Sequence, residues 1–201
     1  MMDHDELLDV IRRSWDKEMR FFSNAGKEER ECWVVGEFLR NLSVSFSEQE
    51  LISFEQHSKT DVGFREARFQ IKEIMNKGSR RGAEIKALWQ QAKTASRVEE
   101  IVGAGLVYDN PPPIRGYELI CDRARTLATS GKYDLDTRQS LDLLFYVTRT
   151  NASPIQSTEI KRDEFISLGW RSVSCLIGSE SLVLFTQDDA PELLRLHQFG
   201  S

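Results

Sequence analysis

Residues 60–73, TDVGFREARFQIKE, constrain the fold more than any other stretch, because two strand-like runs meet there across a connection short enough for a hairpin. In Arg68-Phe69-Gln70-Ile71-Lys72-Glu73-Ile74 the period of two puts Gln70 and Lys72 on one face with Ile74, and Phe69 and Ile71 on the other. Upstream, Asp61 opens a second extended run, Asp61-Val62-Gly63-Phe64, and Arg65-Glu66-Ala67 lie between the two. Antiparallel pairing then brings Asp61 near Gln70 and Lys72. A carboxylate, an amide oxygen and an amine converge on one side of a sheet.

That combination suits phosphodiester hydrolysis. Carboxylate, amide and main-chain oxygens match a hard cation such as Mg²⁺ or Mn²⁺, and an ammonium orients water and opposes the negative charge that grows on phosphate. On Asp61, Gln70 and Lys72 the chain resembles the PD-(D/E)XK, or restriction-endonuclease-like, superfamily. Gln70 stands where the usual motif has an acid, and the hydrophobic-Gln-x-Lys form is similar to the variant in methylation-dependent endonucleases of the Mrr type. The chain as a whole looks most like a small bacterial family within that superfamily. The resemblance implies an α/β (α+β) core of helix, three strands, helix, strand. It also implies metal ligation by Asp61, Gln70 and a main-chain carbonyl, and catalysis assisted by Lys72. Some members add a glutamate from the preceding helix, and Glu37 is the candidate for that place.

Composition limits how such a site would meet a nucleic acid. The 201 residues carry a formal net charge of −5, so bulk electrostatics draw the protein to neither nucleic acid nor an anionic membrane, and any such contact must be a local basic patch. The most basic short stretch is Asn76-Lys77-Gly78-Ser79-Arg80-Arg81-Gly82, which makes Lys77, Arg80 and Arg81 the candidate phosphate contacts. A hydrophobic content of 40% is enough for a sizeable core. The three cysteines, Cys32, Cys121 and Cys175, form no CxxC, as expected of buried thiols in a reduced cytoplasm. The N-terminus is acidic and no apolar run has the length of a membrane span, which predicts a cytoplasmic protein without membrane attachment.

In chain order, apolar residues at three- and four-residue steps predict helices over 3–22 and 27–42, the second burying Trp33, Val34 and Phe38. Residues 42–46 and 51–54 are rich in strand formers, and the second run leads towards Asp61 as the first core strand. Helices are expected over 82–95, as the core helix after the third strand, and over 96–107 and 113–127, with a prolyl spacer at Pro111-Pro112-Pro113. A helical turn at 136–140 precedes the nearly continuous apolar run 141–148, which reads as a fourth core strand buried on both faces. A hairpin of 173–177 and 182–185 and a short helix over 189–197 complete the chain. The expected organisation is a single domain, 1–201, with an appended helix at 1–26, a nuclease-like core at 27–148 and completing strands and helix at 149–201.

Three functional classes fit these residues. The first is a metal-dependent endonuclease. The second is a catalytically degenerate module that keeps the fold and binds a partner, favoured by the acidic charge and the missing second carboxylate. In the third, an unrelated α/β protein, Gln70 and Lys72 decorate a sheet. Glu55 and His57 lie close to Asp61 in sequence; Glu55 is a reserve ligand, whereas His57 has no base-orienting neighbour and takes no role. Oligomeric state has no signature in the chain.

Overall fold

The computed structural model describes residues 4–55, 57–76, 81–102 and 112–199. The chain forms two compact units, Met1–Arg30 with Lys77–Asn110, and Glu31–Asn76 with Pro111–Ser201.

The smaller unit is helical. Helix α1 (His4–Phe21) buries Leu8 and packs on α3 (Arg81–Thr94) and α4 (Val98–Val102) around Ala92, Ala95 and Ile101. Arg12 ties α1 to the end of α3 by donating to the carbonyls of Ala92 and Ala95 at 3.2 and 2.9 Å. Residues 82–95, expected to supply the core helix after the third strand, form α3, which packs with α1 within this unit.

The larger unit is built on a mixed six-stranded sheet flanked by helices, consistent with an α+β nuclease-like core. Helix α2 (Lys27–Asn41) leads into it. The strands are β1 (Ile52–Ser53), β2 (Val62–Phe64), β3 (Ala67–Ile74), β5 (Asp142–Val147), β7 (Ser172–Ile177) and β8 (Glu180–Thr186), in that spatial order. β1, β2 and β3 pair antiparallel, β5 and β7 run parallel to β3, and β8 closes the sheet antiparallel to β7. A separate parallel pair joins β4 (Ile114–Arg115) to β6 (Ala152–Ser153). Two parallel crossovers require helices, and α5 (Gly116–Thr129) and α7 (Arg162–Leu168) supply them. α6 (Leu135–Gln139) precedes β5, and α8 (Glu192–Leu196) follows the sheet with Pro191 at its N-cap.

Each sheet face buries its own core. On one side Phe69, Val62, Phe64, Leu144 and Val183 meet Val34, Val35, Phe38 and Leu39 of α2 and Leu194 of α8. On the other, Ile74, Leu143, Phe145 and Val173 meet Tyr117, Ile120 and Ala124 of α5 and Phe165 of α7, with Tyr133 and Trp170. Fully burying one such Phe or Leu contributes roughly 1.5–3 kcal/mol. β5 lies between two parallel neighbours, which is why its apolar run shows no polar alternation.

The β2–β3 connection is two residues, Arg65-Glu66, because Ala67 already pairs with Phe64. Arg65 adopts a left-handed φ of 51°, the backbone sense that two-residue hairpins favour, and its guanidinium lies 4.6 Å from the Phe64 ring centroid. Residues 42–46, though rich in strand formers, form no strand. Ser43 turns left-handed (φ 59°), Val44 N–H donates 3.0 Å to Leu39 O, and the segment caps α2 instead. Phe46 then packs edge-on against Phe64 at 6.0 Å, so the strand-forming side chains serve packing rather than a ladder.

One polar cluster fixes the start of the parallel ladder. Asp142, fully buried, accepts from Arg171 through both oxygens, from Ser172 Oγ at 2.8 Å and from Arg68 N–H at 2.8 Å. Arg171 also reaches Glu66 O at 3.2 Å. β3, β5, β7 and the hairpin turn are thereby tied to one carboxylate.

Candidate active site

The hairpin brings Asp61 and Gln70 into contact. Asp61 stands just before β2, with its N–H donating to Phe69 O at 2.8 Å and its carbonyl accepting from Phe54 N–H at 3.0 Å. Its main chain is therefore held by two neighbouring strand segments. Asp61 is 9% exposed and Gln70 3%. Asp61 Oδ2 accepts from Gln70 Nε2 and, at 2.8 Å, from Ile71 N–H. A carboxylate only accepts hydrogen bonds, so the Gln70 amide must present its NH₂ to Asp61 and turn its oxygen away. That oxygen, Oε1, accepts 2.9 Å from the hydroxyl of Tyr133, which is 1% exposed. Tyr133 thus completes a buried chain of hydroxyl, amide and carboxylate. Burial first, and the charge of Asp61 second, push the Tyr133 hydroxyl up to about 12, so it stays a donor at neutral pH.

Lys72 stands two residues beyond Gln70 on β3, half-buried, with Nζ donating 2.9 Å to Ile71 O. Two further cations flank the chain of three. Lys59 Nζ lies 5.6 Å and Lys132 Nζ 5.3 Å from the Tyr133 ring centroid, and Lys59 donates 3.2 Å to Lys132 O. Both lysines are exposed.

Glu37 pairs with Arg40, which also reaches Glu48 at 3.4 Å, on a helix that packs against the sheet face opposite Gln70. The structure does not bring it to Asp61. Glu55 and His57 are exposed. Lys77 and Arg80 lie outside the described residues. Arg81 is 6% exposed, with its guanidinium 4.6 Å from the Phe22 ring centroid in the smaller unit, so it packs as a buried cation where a solvent-facing phosphate contact was expected. Sequence reasoning misses Tyr133, Lys59 and Lys132. Tyr133 is 63 residues from Gln70, and only the helix break at Ser130-Gly131 marks its loop.

Among the described residues no three His, Cys, Asp or Glu side chains gather as metal ligands. The donor set at this centre is one carboxylate plus neutral oxygens, a chemistry that suits a hard cation only weakly. In the orientation present, Gln70 offers a cation beside Asp61 its N–H groups rather than its oxygen.

No curated protein matches the chain. A solved structure from Pseudomonas aeruginosa strain PAO1, described as a protein of unknown function of the monooxygenase superfamily, shares the fold. Its TM-score is 0.60 at 23% identity, over 98% of this chain and 94% of that one. That likeness extends to architecture alone. A family model described as "Putative endonuclease, protein of unknown function (DUF1780)" matches residues 3–200, and the chain belongs to that family.

Proposed function

We propose that this protein is an endonuclease that hydrolyses phosphodiester bonds of nucleic acid at Asp61, Gln70 and Lys72, as a Gln-x-Lys variant of the PD-(D/E)XK superfamily. The observation that carries this reading is the meeting of the Asp61 and Gln70 side chains, with Lys72 two residues further along the same strand, in a family described as endonucleases.

In the reaction the water oxygen bonds to phosphorus while the ester P–O bond breaks, and the leaving oxygen takes up a proton. Lys72, as an ammonium, opposes the negative charge that accumulates on the phosphoryl oxygens and orients the water. Asp61, fixed by Gln70 and Ile71, supplies the anionic group at which Mg²⁺ or Mn²⁺ would be held. When bound, the cation would supply Lewis-acid polarisation of the phosphate. Gln70 would contribute its oxygen only with the amide turned over, which exchanges its partners: Nε2 would then face the Tyr133 hydroxyl, a group able to accept as well as donate. Three cysteines without a CxxC suit the reduced cytoplasm in which this activity is placed.

One observation favours the degenerate module instead. Asp61 Oδ2 already accepts two protein N–H groups, as in a satisfied structural network. Calorimetric titration with Mn²⁺ separates the two readings. Binding that is lost in Asp61→Ala supports the nuclease, and no binding at millimolar metal supports the module.

A further inference from the structure

Of the cations expected from sequence to meet nucleic acid, Lys77 and Arg80 lie outside the described residues, and Arg81 is buried against Phe22 in the smaller unit. A chain of net charge −5 needs a local positive surface if it is to hold a polyanion. Such a surface adjoins Asp61 and Gln70, and Tyr133 defines it. The hydroxyl end of Tyr133 is bonded to Gln70 Oε1 at 2.9 Å, while its ring carries Lys59 and Lys132 at 5.6 and 5.3 Å. One buried side chain therefore links two exposed ammoniums to the acid–amide pair.

Both lysines stand on anchored backbone. Lys59 is followed by Thr60, 2% exposed, and Asp61, and its own Nζ is bonded to Lys132 O. The loop of Lys132 is held from below by Arg138, whose Nη1 donates to Tyr133 O at 2.6 Å and Ala128 O at 3.2 Å. Asp134, an acid within electrostatic reach of Lys59, is committed to the start of α6, where it accepts from Thr137 N–H at 2.8 Å. Two like charges brought to one ring repel each other, and an anion placed against both relieves that repulsion. Ammoniums are point charges without a shape code and suit a phosphate backbone rather than base edges.

We infer that Lys59 and Lys132 form the phosphate-contacting surface of this centre, holding backbone phosphates of the nucleic acid beside the bond to be cut. The inference rests on the nuclease reading and adds to it the residues that hold the strand. Neither lysine touches the reacting atoms, so both are positioning residues.

The test is binding of fluorescein-labelled oligonucleotides, duplex and single-stranded, followed by anisotropy between about 50 and 200 mM salt without divalent cation. For each phosphate that is no longer neutralised, the slope of log K against log salt should flatten by about 0.9 for duplex or about 0.7 for single strand. The double variant Lys59→Gln, Lys132→Gln should therefore flatten the duplex slope by about 1.8 in total and bind more weakly at low salt. Lys59→Arg, Lys132→Arg should restore both, which loss of fold would not permit. Lys161→Gln, at an exposed lysine on the approach to α7, should leave the slope unchanged. A double glutamine variant with the parent's slope overturns the inference and leaves catalysis at Asp61 standing. A parent that neither binds nor cleaves any oligonucleotide overturns both.

Discussion

Tyr133→Phe removes one oxygen atom and nothing else from the site, which makes its consequence calculable. The ring stays, and with it the edge-on packing against Trp170 at 5.5 Å, so no cavity opens. The change deletes the donor to Gln70 Oε1, inside a pair that is 1% and 3% exposed. Gln70 Nε2 is already engaged by Asp61, so the amide cannot satisfy Oε1 by turning over without breaking that bond. A buried acceptor left without its donor costs roughly 1–3 kcal/mol, against the ~1 kcal/mol net worth of an ordinary hydrogen bond. For a chain of this size each kcal/mol lowers Tm by about 2–4 °C. Urea and thermal unfolding followed by circular dichroism should show that loss, with m unchanged. Tyr133→Phe as stable as the parent would refute the buried hydroxyl–amide–carboxylate chain, and with it the stated orientation of Gln70.

Three other outcomes follow from the same geometry. Asp142→Ala leaves Arg171 without its counter-charge at the foot of β3, β5 and β7 and should cost about 3–5 kcal/mol in urea unfolding; a cost below about 1 kcal/mol would contradict the buried pair. Gln70→Glu puts a second carboxylate beside Asp61 and should tighten Mn²⁺ binding about tenfold or more by calorimetry, while weakening the metal-free fold through like-charge repulsion; unchanged affinity would mean that Gln70 does not adjoin the cation position. Tyr133 keeps its proton in the fold to about pH 12, whereas an unfolded tyrosine ionises near pH 10. Its contribution to stability is therefore complete below about pH 10 and disappears as pH rises to about 12, and Tyr133→Phe should lack that component of the alkaline decline.

The sheet was legible where a local pattern decided the structure. β5 announces itself as an unbroken apolar run because both its faces are buried, and the β2–β3 hairpin follows from two alternating runs with almost nothing between them. Residues 42–46 have the same strand-forming composition, but a left-handed Ser43 spends them on closing α2, a decision made by the helix end rather than by propensity. The helix that packs on the sheet between β3 and β5 is α5, while α3 packs with α1 inside its own compact unit. The meeting of Asp61 and Gln70 could be anticipated across nine residues of hairpin. The 63-residue reach of Tyr133 to Gln70 could not, since nothing periodic links a loop tyrosine to a strand so far away. The orientation of the amide was equally hidden, being set by which neighbour can only accept.

The most direct test of the central claim is a cleavage assay on single-stranded, duplex and branched nucleic acids with Mg²⁺ or Mn²⁺, comparing the parent with Lys72→Ala. Lys72 is half-buried at the strand surface, so truncation should leave the fold, and the Mn²⁺ affinity that depends on Asp61, in place. The parent should cut at least one of these substrates, and Lys72→Ala should bind metal but cut none. Cleavage that survives Lys72→Ala would contradict the claim.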